Sequence, residues 1–155
     1  TFLNPDKDPL GAGYQIIQSK IAVGSGGIFG KGFLKGTQSY LEFLPEKHTD
    51  FIFTLISEEL GFLGSISIIL IFCILIFSVM KISFGVKTLF SKIVTFGIGF
   101  LLFLYLSLNI GMVCGLLPVV GVPLPLISYG GTSLLTVLIG LGIVLSINIH
   151  DKEVL

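Results

Sequence analysis

From Ile93 to Ile149 the chain runs 57 residues without an Asp, Glu, Lys, Arg or His. A soluble domain cannot spare so long an uncharged stretch, because its core must be covered by polar surface. The bilayer becomes the natural solvent. A helix rises ~1.5 Å per residue and crosses a ~30 Å hydrocarbon layer in about 20 residues. The stretch is therefore too long for one crossing and suits two. Pro118, Pro123 and Pro125 mark the break, since each removes a backbone donor and disfavours regular helix. This predicts spans at 93–116 and 131–149, joined by a Pro-rich connection at 117–130. Irregular backbone near lipid persists only where protein or a cavity satisfies its polar groups.

A further span is predicted at 62–80, where FLGSISIILIFCILIFSVM holds no charge. Composition agrees: 53% of residues are hydrophobic, 12% are charged, and mean hydropathy is +1.02. Soluble enzymes, disordered chains and nucleic-acid binders are all disfavoured. Nine lysines and no arginine balance nine acids, so no basic stripe is available for phosphates. Cys73 and Cys114 lie in apolar runs and read as small hydrophobes, with no disulfide or metal framework.

Lys81, Lys87 and Lys92 share the loop 81–92 with no acid, which places that loop in the cytoplasm by the positive-inside rule. Residues 1–60 and the connection 117–130 are then extracytoplasmic, and the tail 150–155 is cytoplasmic. The predicted fold class is an all-α polytopic membrane protein, with three transmembrane helices and a large extracytoplasmic loop. Gly97, Gly99, Gly111, Gly115, Gly140 and Gly142 give small faces for close helix approach. Three helices make a poor bundle, so these faces need partners elsewhere. The chain starts at Thr1 and reads as part of a longer protein.

Residues 24–36, GSGGIFGKGFLKG, hold six glycines. A phosphate loop fails on spacing. Gly30-Lys31 is followed by Gly32, with Ser25 five residues before Gly30, whereas a Walker loop needs Ser or Thr after Gly-Lys and Gly at the earlier position. Gly24 and Gly26 are followed by Phe29, which breaks the dinucleotide pattern. A turn region with Lys31 and Lys35 exposed remains, either a plain surface loop at the membrane edge or a contact for anionic lipid head groups.

The run 44–61, LPEKHTDFIFTLISEELG, is the most informative. Pro45 suits a first helical position and Glu46 the positive end of a helix dipole; Thr49 is an alternative N-cap. On a helical wheel Glu46, Asp50, Thr54, Ser57 and Glu58 share one face. If the helix runs straight into the span, Asp50 stands ~45 Å above Met80, near the headgroup boundary. Acids there are either solvated at the membrane edge or line a site as a base or cation ligand. His48 can act as a base in principle, or is simply polar surface.

Residues 8–53 (DPLGAGYQIIQSK through HTDFIF) and 121–133 (GVPLPLISYGGTS) resemble, in order, the large outer loop and the last-span signature of the SEDS family (shape, elongation, division, sporulation). DPLGAGYQIIQSK and GKGxLxGTQS are similar to the elongation-type members; Phe33 departs from their usual Trp and keeps an aromatic. Such members resemble ten-span proteins, so seven further spans are expected outside this chain. The resemblance implies a peptidoglycan glycosyltransferase of cell elongation and rod shape, in the bacterial cytoplasmic membrane. It would join lipid II units outside that membrane and release undecaprenyl diphosphate. It carries the essential aspartate onto Asp50. Lys20 is the best candidate in this chain for the diphosphate. Glu58 would hold a cation or orient a lysine, and His48, Glu46 and Ser128 complete the substrate-binding candidates. A bound Mg²⁺ or Mn²⁺ is implied by the family, with no ligand set legible here. A class B penicillin-binding protein transpeptidase is the implied partner, alongside lipid II, its undecaprenyl-linked glycan and membrane lipid, and no nucleic acid. A lipid II transporter and a scaffold for the transpeptidase are the rival readings. The isolated chain is expected to be inactive, because three helices do not close a cavity.

Overall fold

The structure is a computed structural model that describes residues 12–33, 35–36 and 49–153. It contains four helices among these residues and no strand: α1 (Ala12–Ser25), α2 (Ile52–Gly85), α3 (Leu89–Val113) and α4 (Gly131–Glu153). The expected all-α architecture holds. The last three helices are long and apolar enough to cross a membrane. Only 17%, 28% and 11% of their most apolar windows are buried within the chain, so most of this surface must face lipid or further spans. Phe96, Phe100 and Phe103 stack along one such exposed face of α3.

α2 and α3 form an antiparallel hairpin closed by the short turn at 86–88. The α3 seam explains the pairing. Thr95, Gly99, Leu102, Leu106, Asn109 and Val113 are buried at alternating spacings of four and three. That is the repeat of side chains interlocking between nearly parallel or antiparallel helices. A Cβ added at Gly99 would lie 2.9 Å from the Met80 sulfur and 3.1 Å from Val79 Cγ1. Hydrogen at that position lets α2 approach, which matters in lipid, where packing rather than water exclusion drives association. α4 packs against α3 and more sparsely against α2. The α2–α3 turn is tighter than the predicted loop 81–92: Lys81 and Lys92 are helical, and their long side chains can reach the interface from within the spans. Ser83 closes the turn by donating to the Lys92 carbonyl at 3.0 Å.

α3 ends by design of sequence. Gly115 adopts φ +68; its N–H bonds the Met112 carbonyl at 3.0 Å, and the Leu116 N–H bonds the Gly111 carbonyl at 2.8 Å. This is the Schellman closure, in which a left-handed glycine satisfies the last carbonyls. The Gly111/Gly115 pair thus serves as a helix stop. α1, which hydropathy alone does not announce, buries Ile16, Ser19 and Ala22 on one face. A 14-residue helix is marginal alone; this one is held by docking on α2 and α3.

The straight run expected from Asp50 to Met80 is interrupted. Gly61 has φ +67 and ψ −161 inside α2, a conformation essentially reserved for glycine. The Gly-rich segment fills the break. In an unbroken helix the N–H groups of Phe62 and Leu63 would bond the carbonyls of Glu58 and Glu59. Here those two N–H groups donate to the carbonyls of Gly27 and Ile28, at 2.9 and 3.2 Å. The released carbonyls accept from the N–H groups of Lys31 and Gly32, both at 3.0 Å. Two intrahelical bonds become four between helix and loop, so the break leaves these groups satisfied. Gly26, Gly30 and Gly61 meet backbone to backbone, with no room for a Cβ at any of them. The expectation of a plain surface loop is corrected: residues 26–32 are a fitted part of α2.

Candidate active site

Asp50 lies just before α2, in a turn spanning 49–51, and is half-buried. Its main chain is fixed from two sides. Asn109 of α3 donates from Nδ2 to the Asp50 carbonyl at 2.9 Å and to the Val122 carbonyl at 2.7 Å. Ser128 donates from Oγ to the Thr49 carbonyl at 2.6 Å and accepts from the Leu124 N–H at 2.7 Å. The Pro-rich connection therefore wraps the start of α2 and answers the requirement that irregular backbone be satisfied by protein. Phe51, beside Asp50, is buried in the core with Phe53, Leu106, Met112, Val113 and Leu124. The carboxylate has a wall of its own: a Cβ at Gly121, which adopts φ +68, would stand 3.2 Å from Asp50 Oδ2.

The predicted polar face of 44–61 turns inward. Thr54, Ser57 and Glu58 are all buried. Glu58 is fully buried and its Oε1 accepts from Lys31 Nζ at 2.7 Å, while Lys31 is 28% exposed. Glu58 is thus paired with Lys31, and Lys31 is not the exposed side chain the sequence suggested. Burying a carboxylate needs such a partner, because desolvation outweighs what an unpaired charge regains. Ser57 and Ser65 extend the polar line across the Gly61 break with a 2.8 Å hydroxyl contact.

Lys20 is exposed on α1, five residues before its end, with its side chain against Gly115. Ser19 anchors it by donating to the Val113 carbonyl at 3.0 Å. Lys20 and Asp50 thus rest on opposite stretches of one connection, at Gly115 and Gly121. Ser128 is buried, and its hydroxyl is engaged by two main-chain groups, which makes it a holder of the 49–50 segment. Glu46 and His48 lie outside the described residues. A cavity of about 510 Å³ opens between Ile52, Leu126, Ser128, Tyr129 and Leu134; Ile52 follows Asp50 by two residues and Ser128 holds the Thr49 carbonyl, while Asp50 itself is not among the lining residues. A second of about 310 Å³ lies at the helix break between Gly27, Phe53, Ser57, Gly61 and Cys114. Among the described residues no three His, Cys, Asp or Glu side chains gather as a metal-binding set.

Asn109 is the residue that sequence reasoning passed over, and Lys31 was read there only as an exposed loop lysine. Asn109 carried a signal, as one of only two side-chain amides in the 57-residue uncharged stretch. A polar group in a span is costly unless it is used.

A sequence model of the FtsW/RodA/SpoVE family, described as "Cell cycle protein", matches residues 1–153. The chain belongs to this family. Among its relatives, the peptidoglycan glycosyltransferase MrdB of Escherichia coli K12 is 55% identical over 97% of the chain and 41% of its own length. The peptidoglycan glycosyltransferase RodA of Treponema pallidum is 45% identical over 95% of the chain and 34% of its own length. Stage V sporulation protein E of Bacillus subtilis is 44% identical over 98% and 41%. A solved structure, reported as "Structural coordination of polymerization and crosslinking by a peptidoglycan synthase complex", superposes with a TM-score of 0.76 at 34% identity, covering 97% of this chain and 40% of that one. The chain spans about two fifths of the length of such relatives.

Proposed function

We propose that this chain is the C-terminal part of a peptidoglycan glycosyltransferase that polymerises lipid II in cell elongation, with Asp50 as its general base. The observation that carries the reading is the 55% identity to a peptidoglycan glycosyltransferase across nearly the whole chain. The fixed main chain on both sides of Asp50 supports it. The lysine-bearing turn at the opposite end of α2 supports an extracytoplasmic Asp50 by the positive-inside rule.

In the proposed reaction the acceptor's sugar 4-hydroxyl attacks C1 of the donor sugar. The C1–O bond to the diphosphate breaks as the new C–O bond forms. Asp50 takes the hydroxyl proton, and undecaprenyl diphosphate leaves with the bonding electron pair. A direct displacement turns the α-linked donor into a β-linked product with no covalent enzyme intermediate. A placed base is worth typically ~10²–10⁴-fold. Lys20 supplies positive charge for the leaving diphosphate. The divalent cation implied by the family finds no set of three His, Cys, Asp or Glu donors among the described residues. A class B penicillin-binding protein is the proposed partner, in keeping with the synthase complex that the fold resembles.

The test is glycan formation from purified lipid II by the full-length parent protein. Asp50→Asn is expected to lower kcat by about 10² or more at unchanged folding. Normal polymer from that variant would remove Asp50 as base and favour the transporter reading.

A further inference from the structure

Asn109 has a cost that packing does not explain. It is fully buried in a seam otherwise built of Thr95, Gly99, Leu102, Leu106 and Val113. Its Oδ1 is buried with no hydrogen-bond partner. An unsatisfied buried acceptor is unfavourable by ~1–3 kcal/mol, and a leucine of similar size would fill the same space. What leucine cannot supply is the pair of donors. One reaches the Asp50 carbonyl at 2.9 Å and the other the Val122 carbonyl at 2.7 Å, which also fixes the amide's orientation. These acceptors are 59 and 13 residues away along the chain. Val122 adjoins Gly121, the wall against the Asp50 carboxylate. One side chain on a rigid helix thus sets the turn that carries the carboxylate and the segment that confines it.

We infer that Asn109 is a positioning residue for Asp50, setting the height and direction of its carboxylate toward the acceptor hydroxyl. The inference rests on the proposed role of Asp50. Misplacing a reacting group by about 1 Å can cost ~10²-fold in rate. Asn109 acts on Asp50 through the main chain, so its loss falls on kcat and leaves substrate binding alone.

The experiment uses the full-length parent and measures kcat and KM for polymerisation of lipid II, with thermal unfolding in detergent as a second readout. Asn109→Leu is expected to lower kcat about 10- to 100-fold with KM within about twofold of the parent. Thr95→Val is the control. Thr95 lies in the same α3 seam, is equally buried, and also has an unpartnered oxygen, but it sits 14 residues below Asn109, about four turns from the Asp50 end of the helix. It should leave kcat and KM unchanged. If Asn109→Leu does not accumulate, Asn109→Gln keeps an amide in the seam with its donors displaced, and a kcat loss at constant KM is expected again. Parental kcat in Asn109→Leu or Asn109→Gln would overturn the inference. So would a rise in KM without a fall in kcat, or an equal loss in Thr95→Val, which would mark a general packing effect. Asp50→Asn, run beside them, separates the two claims. If it is fully active, the role of Asp50 fails and this inference with it. If it is inactive while Asn109→Leu is normal, only the positioning role fails.

Discussion

The two ends of the α2–α3 hairpin are built by opposite means. At the lysine end, three residues turn the chain, a serine hydroxyl closes the turn, and the Lys87 N–H meets the Asp151 carboxylate at 3.3–3.4 Å. At the Asp50 end, a helix is broken at Gly61, a glycine loop is threaded into the break, a buried ion pair is placed beside it, and two side chains clamp the main chain at 49–50. A connection that needs only to turn is cheap in sequence. The connection at the Asp50 end uses buried polar groups, left-handed glycines and even Leu126 at φ +65, a conformation unfavourable for a non-glycine residue. Local rules broken at one end and kept at the other accord with the site proposed at Asp50.

This contrast can be broken by substitution, with stability read from thermal unfolding of the full-length parent. The largest effect should come from Gly61→Ala. It forces a side chain into a glycine-only conformation facing the Gly30 main chain, and the loss should exceed about 3 kcal/mol. A loss below about 1 kcal/mol would mean that the loop does not occupy the break. Next, Lys31→Met leaves Glu58 buried without its lysine. Because Lys31 is 28% exposed, the expected loss is about 2–3 kcal/mol, below the ~3–5 of fully buried pairs. Adding Glu58→Gln should recover most of it, whereas equal losses in single and double variants would show that the pair contributes nothing. The smallest effect belongs to the lysine end. Asp151→Asn touches one long contact to a main-chain N–H and should change stability by no more than about 0.5 kcal/mol. A larger change would show that this end is built as tightly as the other.

The spans were legible because absence of charge is a one-dimensional property, read directly from 62–80 and 93–149. The break at Pro118–Pro125 was legible because proline acts locally. Asp50 came from the polar face of 44–61 and from the family resemblance. The threading of 26–32 into α2 was not legible, because it is written in main-chain hydrogen bonds that any sequence can make. Its only side-chain trace is the lack of side chains at Gly26, Gly30 and Gly61. The partnership of Lys31 with Glu58 joins residues 27 apart through that same threading. The α1 helix was hidden because its buried face is drawn from small residues, Ser19 and Ala22, as much as from Ile16.

The proposed reaction requires Asp50 to be presented on the external side of the membrane. The most direct measurement is sided labelling of intact cells by a membrane-impermeant maleimide, in full-length protein freed of its native cysteines. Tyr129, 85% exposed beside the Asp50 segment, marks that end, and Lys87 marks the other. With Asp50 outside, Tyr129→Cys is labelled in intact cells and Lys87→Cys is labelled only after permeabilisation. The reverse pattern would put the carboxylate on the cytoplasmic side, away from its proposed substrate, and contradict the account.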